Sequence, residues 1–320
     1  MDFIISWHIL PAAFILDLIL GDPLFLPHPV RWMGRAIETM EPRFRNLPLR
    51  ETTAGFIFSL ALIVGTWCLV FALVILARTI HPLFGVGIEI LIIYYSISVR
   101  CLVKSAMDVH RSLAHKNLNE AQKKVSQIVG RDVERLSTQG VAQATVETVA
   151  ENLVDGVMAP LFFAAIGGAP LAAAYKMVNT LDSMVGYKNE KYRQFGKASA
   201  RIDDIANFIP ARLSVPVVAL ASRILAGKGS LAFRTAMEEG ANHSSPNAGF
   251  PEAAFAGSLG VKLGGAHYYH GHLVPKPQIG IRFGTVNINH IKKACDLMIL
   301  SAVIWLFILW GATVLWRFSW

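Results

Sequence analysis

Three long apolar blocks constrain this chain more than any other feature of its sequence. They cover residues 54–77, 83–103 and 297–316. Each is long enough, as a helix, to cross a bilayer core of about 30 Å, which takes about 20 residues. Only 16% of the 320 residues are charged, whereas soluble domains carry about 25%, so a soluble core cannot hide this much apolar surface. The sequence therefore predicts an all-α, polytopic integral membrane protein.

Three further blocks are apolar but imperfect. Residues 7–20 form a shorter block that contains Asp17, and we interpret it as a fourth span. Residues 156–175 are interrupted by two prolines and a pair of glycines, which favours two short helices or a kinked or re-entrant segment. Residues 205–226 contain Arg212, and an arginine at membrane depth costs at least about 2.5 kcal/mol. The last two blocks are therefore expected to be re-entrant or interfacial, which leaves about four full transmembrane helices.

The basic loops predict the orientation of the chain. Arginine and lysine are concentrated in residues 31–50 and 104–135, and the positive-inside rule places both stretches in the cytoplasm. Two predicted spans, 54–77 and 83–103, separate these stretches, and an even number of spans returns the chain to the same side of the membrane. We expect a multi-pass protein of the cell (inner) membrane with cytoplasmic motif loops. The resulting organisation is a single membrane domain over residues 1–320, cytoplasmic helical or loop insertions at 104–155 and 176–204, and a long polar loop region at 227–296.

The charge and cysteine content restrict the partners. A net charge of +8 suits anionic lipid headgroups, phosphate ligands, or both. The sequence has no basic stripe interleaved with aromatic residues and no standard nucleic-acid-binding module, so nucleic acid is not an expected partner. The three cysteines are far apart and predict no disulfide framework.

A regularly spaced set of carboxylates precedes the interrupted block. Glu147, Glu151 and Asp155 are spaced i, i+4 and i+8, so they share one face of a predicted helix. Three carboxylates on one face can hold a hard cation such as Mg²⁺. The alternative is an ordinary solvated acidic face.

Two polar clusters follow along the chain. In the first, Asn179, Asp182, Tyr187 and Lys188 surround Gly186, which suits a phosphate or oxyanion contact or else an ordinary loop with a basic edge.

The second polar cluster lies beside residues 205–226. It contains Arg201, Asp203 and Asp204, and paired aspartates near a membrane surface can bind Mg²⁺ and a nucleotide. The alternative is a structural Arg201–Asp204 helix pair, worth about 0.2–0.5 kcal/mol.

A donor-rich turn and a histidine-rich segment lie further on. Ser245 and Asn247 define a tight turn that can bind an anion through backbone N–H groups, and Glu252 opens the next helical stretch. The three histidines within residues 267–272 have no local acidic partner and form no helical i, i+4 pair, so we expect exposed loop histidines and no metal site.

Taken together, these segments resemble the CobD/CbiB family, the adenosylcobinamide-phosphate synthases. The resemblance extends from about residue 16 to 265. One departure is Phe250, where the family pattern leads us to expect Trp. The matching stretches are LDLILGDP, PHPVRWMGR, VSQIVGRD, VETVAENLVDGVMAPLFFAAIGGAP, YKMVNTLDSMVGYKN, GKASARIDDIANFIPARL and SPNAGFPEAAFAGSLGVKLGG.

The resemblance implies that adenosylcobyric acid is joined through an amide to aminopropanol O-phosphate, with ATP driving the reaction and Mg²⁺ offsetting phosphate charge. Expected partners are these substrates, the bilayer, late cobalamin-pathway enzymes and a second copy of the chain. We assign residue roles from side-chain chemistry. The catalytic candidates are Lys188, Arg201, Asp182 and Tyr187; the substrate-binding candidates are Arg131, Asn152, Asn179, Arg212, Ser245, Asn247 and Glu252; the metal candidates are Glu147, Glu151, Asp155, Asp203 and Asp204.

Two other classes of function remain open at this stage. Asp17, Glu89 and the interrupted block at 156–175 suit a corrinoid or small-solute transporter, although the sequence contains no internal repeat. A membrane scaffold that gathers soluble enzymes of the late pathway is the second alternative.

Overall fold

A computed structural model describes residues 7–22, 28–187, 189–269 and 271–318. Four short strands, a π-helical turn at Val154–Met158 and a 3₁₀ turn at Gly240–Asn242 accompany the α-helices in these ranges. The strands are β1 (Leu263–Gly264), β2 (His267–Tyr269), β3 (His272–Val274) and β4 (Gln278–Ile279). The α-helices are α1 (Ile9–Leu20), α2 (Pro29–Arg45), α3 (Glu51–Ile80), α4 (Pro82–Ser96), α5 (Val99–Ala114), α6 (Leu118–Val125), α7 (Thr138–Leu153), α8 (Ala159–Val185), α9 (Lys197–Ala206), α10 (Phe208–Ala226), α11 (Gly229–Glu239), α12 (Gly249–Leu259) and α13 (Ile288–Phe318).

The described helices confirm the all-α, multi-pass membrane class. Among the described residues, five helical stretches are long and apolar enough to cross a membrane. They are Glu51–Ile80, Pro82–Ala114, Thr138–Val185, Phe208–Ala226 and Ile288–Trp316.

The set of candidate spans differs from the four expected from the sequence. The first block forms only the 12-residue helix α1, which is shorter than a full span. Residues 156–175 and 205–226 instead belong to helical stretches long enough to cross. The prolines that suggested broken helices include Pro160, which is the second residue after the π-helical turn, and Pro210, which lies in the first turn of α10. A proline in a first turn lacks only an N–H that has no helical partner there.

The predicted interruption within residues 156–175 is present as a kink. Gly167 and Gly168 have non-helical backbone angles, with φ of +67° at Gly168. A residue with a side chain rarely adopts this left-handed conformation. Pro170 follows two residues after Gly168, so the segment is kinked as predicted.

Contacts divide the chain into two compact units. The first contains residues 1–98, 159–207 and 306–320, and the second contains 99–158 and 208–305.

In the first unit, α3 packs against α8, and α2 covers the same core. Ile37, Phe58, Leu181 and Phe195 are buried together, and the rings of Phe58 and Phe195 lie 5.1 Å apart. Close approach of the backbone at Phe195 depends on Gly55 of α3, because a Cβ there would lie 1.9 Å from the Phe195 carbonyl oxygen.

A charged pair joins α3 to α4 in the first unit. Glu89 is 3% exposed and its Oε1 accepts hydrogen bonds from the Arg78 guanidinium. A buried carboxylate requires such a partner, since its desolvation is otherwise uncompensated. This contact gives Glu89 a structural role.

We expect Glu89→Ala to destabilise the first unit by about 1.5–3 kcal/mol, the usual contribution of a hydrogen bond to a charged group. Thermal unfolding in detergent measures the change. Asp108→Ala is the control, because the Asp108–Arg111 pair is exposed and such pairs contribute about 0–1 kcal/mol. Equal unfolding temperatures for the two variants would contradict the structural role of Glu89.

In the second unit, α10, α11 and α12 pack together, and α5 contacts α6 and α7. Trp305 donates a hydrogen bond from its indole to the carbonyl oxygen of Met158, at 2.9 Å. The prediction that 227–296 is mostly loop is wrong for its first half, which forms α11 and α12. The glycines counted as loop formers instead mark helix ends, as Gly260 does at the C-cap of α12 with φ of +69°.

Candidate functional site

A small polar cavity lies in the second unit. It measures about 90 Å³ and is bordered by the turn at 128–131, by α7, by the start of α12 and by the segments around the short strands. Ionisable side chains of both signs line it: Arg131, Glu147, Glu151, His243, Glu252, His267 and Lys276. Such a concentration of ionisable groups in one concave site is typical of functional sites.

A hydrogen-bonded ion pair forms one wall of the cavity. Glu147 of α7 and Arg131 pair directly, and their side chains are 7% and 8% exposed. The second carboxylate oxygen of Glu147 accepts hydrogen bonds from the Gln143 amide at 2.8 Å and from the Gly264 N–H at 2.7 Å. Both oxygens are therefore engaged, which is the condition under which a buried charge is tolerated.

The local fold at Gly264 makes this arrangement possible. Gly264 has φ of +77°, and a Cβ there would lie 2.3 Å from the Pro277 carbonyl oxygen. The Gln143 amide also donates to the Gly264 carbonyl oxygen, at 2.7 Å. β1 pairs with β4 at this point, so the strand pair holds the backbone donor against α7.

His267 extends the same wall and corrects an expectation from the sequence. Its Nε2 lies 2.5 Å from the Arg131 guanidinium, and its side chain is 11% exposed, so it is not a solvent-exposed loop histidine. Burial, followed by the nearby Arg131 charge, lowers the pKa of His267 to about 4. Its acidic neighbour Glu147 lies far away in sequence, so no local pattern could reveal it. His272 is exposed as predicted, and residue 270 lies outside the described residues.

The opposite wall carries His243 and Glu252. His243 Nε2 lies 3.7 Å from Glu252 Oε1, and both side chains are nearly buried. Burial, reinforced by the charges of Glu147 and Glu151, raises the pKa of Glu252 well above its usual value. Burial also lowers the pKa of His243. Burial thus favours the uncharged form of each group.

A tight turn positions His243. The Ser245 N–H donates to His243 Nδ1 at 3.0 Å, and Ser245 Oγ accepts hydrogen bonds from the N–H groups of Asn247 and Ala248. The Arg212 guanidinium donates to the Asn247 side-chain oxygen at 3.3 Å. Three predicted substrate-binding residues thus stabilise the turn that borders the cavity.

The predicted carboxylate stripe is only partly formed. Glu147 and Glu151 line the cavity, whereas Asp155 does not. Asp155 falls in the π-helical turn at Val154–Met158, where the extra residue per turn shifts the i, i+4 spacing. The side chain of Asn152 donates to the Thr148 carbonyl oxygen at 3.0 Å.

The carboxylates of the cavity decide whether it can hold a metal ion. Within the described residues, no three His, Cys, Asp or Glu side chains are arranged to hold a metal ion. Both Glu147 oxygens already accept hydrogen bonds, but Glu151 is exposed at the cavity. Because Mg²⁺ often needs only one or two protein carboxylates together with substrate phosphates, Glu151 fits as its ligand.

The remaining predicted residues lie in the first unit. Asp203 accepts a hydrogen bond from the Asn207 amide at 3.0 Å. Tyr187 is 49% exposed, and Lys188 lies outside the described residues. The first unit also contains the other candidates, Asn179, Asp182, Arg201 and Asp204.

Arg201 and Asp204 form an i, i+3 pair at 3.3 Å, and the Arg201 side chain is 71% exposed. We expect Arg201→Ala to change the free energy of unfolding by less than about 1 kcal/mol, because exposed pairs contribute little. Urea or thermal unfolding in detergent checks this. Loss of turnover in a variant of unchanged stability would then support the predicted catalytic role of Arg201, whereas unchanged turnover would remove it.

The comparisons with known proteins decide the family. The family model described as CobD/Cbib protein matches residues 10–298. The chain belongs to the CobD/CbiB family. It is 45% identical over 298 residues to "Cobalamin biosynthesis protein CobD" of Klebsiella pneumoniae, covering 92% of each chain. It is 43% identical over 312 residues to "Cobalamin biosynthesis protein CbiB" of Salmonella typhimurium, covering 97% of each. No solved structure matches this member of the family.

The sequence did not reveal the cavity residues His243, His267 and Lys276, nor Gln143, which hydrogen-bonds the cavity residue Glu147. Lys276 stands between two prolines in a polar segment, a context typical of an exposed loop. Gln143 is four residues before Glu147, a spacing that allows a helical side-chain pair. Only the latter could have been found from sequence spacing.

Proposed function

We propose that this protein acts in cobalamin biosynthesis as an adenosylcobinamide-phosphate synthase. It joins a carboxylate of adenosylcobyric acid to the amine of (R)-1-amino-2-propanol O-2-phosphate, with ATP as the energy source. Family membership and the names of its relatives support the pathway. The observation that carries the catalytic proposal is the mixed-charge cavity around the Arg131–Glu147 pair.

The reaction must first activate a poor electrophile. A corrinoid carboxylate oxygen attacks the γ-phosphorus of ATP, the bond to the bridging oxygen breaks, and ADP leaves. The amine nitrogen then attacks the carbonyl carbon of the acyl phosphate. The bond from this carbon to the phosphate oxygen breaks, inorganic phosphate leaves, and the nitrogen loses one proton as the amide forms.

The side chains of the cavity suit the two steps of this reaction. Arg131 and Lys276 supply positive charge that offsets phosphate oxygens. His243, whose Nδ1 accepts the Ser245 N–H, carries its proton on Nε2 when neutral and can donate a hydrogen bond to a phosphate oxygen, while the departing phosphate takes the proton that the amine nitrogen loses. Glu151 would hold Mg²⁺, which supplies charge compensation for the nucleotide phosphates when bound.

Purified protein in nanodiscs tests the proposal. Adenosylcobyric acid, aminopropanol phosphate, ATP and Mg²⁺ are supplied, and products are followed by mass spectrometry. We expect the amide, ADP and phosphate in equal amounts, and no amide when ATP is omitted. Substrates that remain unchanged while the corrinoid binds would overturn the proposal and favour a transporter or scaffold.

A further inference from the structure

We propose that the turn at residues 128–131 is a phosphoryl-binding subsite of the cavity in the second unit. The backbone N–H groups of Gly130 and Arg131 would donate to the phosphate oxygens from one wall, and Nε2 of His243 from the other. This inference rests on the proposed function, in which ATP and the amino-alcohol phosphate both carry a phosphoryl group. It assigns that group to backbone donors, which no side-chain pattern reveals.

Two consecutive backbone donors are left over in this turn. Gly130 and Arg131 border the cavity, and neither N–H group donates a hydrogen bond to any described part of the chain. The N–H groups of residues 128 and 129 donate to the last residue of α6, and that of Asp132 donates to the carbonyl oxygen of Tyr268 at 2.9 Å. Backbone donors that a protein leaves free at a cavity need water or a ligand as their partner, so these two are available to a ligand.

Gly130 leaves the backbone of this turn open to a ligand. A Cβ at this position would meet nothing within 4 Å, and its φ lies outside the left-handed region. The turn conformation therefore does not require a glycine here. The absence of a side chain instead allows a ligand oxygen to approach the two N–H groups closely. Successive backbone N–H groups in a turn form a concave, partly positive site of the kind that binds phosphate.

His243 supplies a matching donor on the opposite wall. Its Nδ1 accepts the Ser245 N–H at 3.0 Å, so the neutral ring carries its proton on Nε2. This Nε2 lies 3.7 Å from Glu252 Oε1, which is beyond hydrogen-bonding distance. The His243 side chain is only 5% exposed and borders the same cavity. An oxygen-rich ligand in the cavity can therefore accept hydrogen bonds from both walls.

The carboxylates of the cavity do not exclude an anion. Glu147 is neutralised by its direct contact with Arg131. Burial raises the pKa of Glu252, so its uncharged form is favoured. Glu151 also lines the cavity, and its charge is compensated toward a phosphoryl group when it holds Mg²⁺. A phosphoryl group is thus compatible with the charges of the cavity, and the backbone donors of the turn orient it.

Calorimetric titration of the detergent-solubilised full chain, with Mg²⁺ present, tests for a phosphoryl group. The probes are two matched pairs: ATP with adenosine, and aminopropanol phosphate with aminopropanol. We expect at least one phosphorylated probe to bind about 10- to 100-fold more tightly than its unphosphorylated partner, the range given by a hydrogen bond to a charged group. No difference within either pair would overturn the proposal.

Hydrogen exchange locates the contact in the parent protein. Millisecond exchange is followed by mass spectrometry of peptides that contain residues 130 and 131. The bound phosphorylated probe should slow exchange of these two amides about 10-fold or more, because amides that become hydrogen-bonded are protected. The probe that does so, ATP or aminopropanol phosphate, is the source of the phosphoryl group. Equal exchange rates with and without both phosphorylated probes would sink the assignment, whatever the affinities.

Two variants of Gly130 and one control test the backbone donor itself. Gly130→Pro removes an N–H group and should weaken binding of the phosphorylated probe about 10-fold or more. Gly130→Ala keeps the N–H group and should bind this probe more tightly than the proline variant does. Gln127→Ala, at an exposed position outside the cavity lining, should bind like the parent protein. A folded proline variant with parent affinity would contradict the proposal; if this variant does not fold, the exchange measurement decides.

Turnover separates the subsite from the proposed reaction. If a phosphorylated probe binds and protects the two backbone amides but the substrates are not joined, the subsite stands and the proposed reaction fails. If the corrinoid amide forms while both backbone amides exchange at an unchanged rate, the enzyme stands and the subsite fails.

Discussion

Arg131→Ala is expected to lower kcat/KM for amide formation at least about 100-fold. The variant leaves Glu147 buried without its ionic partner, and removing one partner of a buried pair costs about 3–5 kcal/mol. It also removes the donor next to His267 and a positive charge from the cavity. Turnover in nanodiscs and thermal unfolding, measured on the same preparation, separate catalytic loss from unfolding.

Three further variants sharpen this test. Arg135→Ala is the matched control from the same connection between α6 and α7, because its guanidinium lies over the ring of Tyr268 at 4.9 Å and does not line the cavity. Arg131→Lys retains the charge, but a lysine cannot reproduce the planar guanidinium that contacts both Glu147 and His267, so we expect partial activity. The double variant Arg131→Leu with Glu147→Leu removes both charges and should recover stability but not turnover. Activity near the parent level in Arg131→Ala would contradict the site.

Gly55→Ala is expected to have the largest effect on folding. A Cβ at this position would lie 1.9 Å from the carbonyl oxygen of Phe195. Either α3 or the backbone at Phe195 must shift, which opens the core around Phe58 at a cost of about 1–3 kcal/mol or more. Yield of folded protein and its unfolding temperature in detergent measure the change.

Gly65→Ala is the control within the same helix. Nothing lies within 4 Å of a Cβ at Gly65. Alanine should therefore be neutral or stabilise α3 by up to about 1 kcal/mol, because glycine is the weaker helix former in aqueous measurements. If both variants unfolded at the same temperature, the close contact between α3 and the Phe195 backbone would not determine the stability of the first unit.

Sequence analysis could predict the fold class because apolar length is a local property. The blocks at 54–77 and 297–316 needed no tertiary information, and both lie in helices that can span a membrane. The proline at 210 was misleading, since a proline in a first turn and a proline in a helix interior look alike until the helix start is known. The glycines of residues 227–296 were misleading for a similar reason, because a glycine that ends a helix and a glycine within a loop look alike in a sequence.

The cavity was predictable only where its residues share one helix. Glu147 and Glu151 could be paired from their spacing, and Arg131 could be recognised as a phosphate ligand by type. Asp155 was lost because the π-helical turn adds a residue that no sequence pattern announced. Lys276 could not be found, since its relation to Glu151 depends on how the chain returns to α7 after more than a hundred residues.

The order of residues around the cavity also bears on how the protein is made. Arg131 and Glu147 leave the ribosome close together, whereas the Gly264 N–H that also binds Glu147 follows 117 positions later. During synthesis the carboxylate of α7 can therefore be neutralised by its arginine well before the remaining wall exists. A nascent chain stopped before residue 243 would contain the ion pair but not His243, Glu252 or Lys276. The complete cavity lining thus exists only once residue 276 has been made, when four of the five candidate spans of the described residues have already been synthesised.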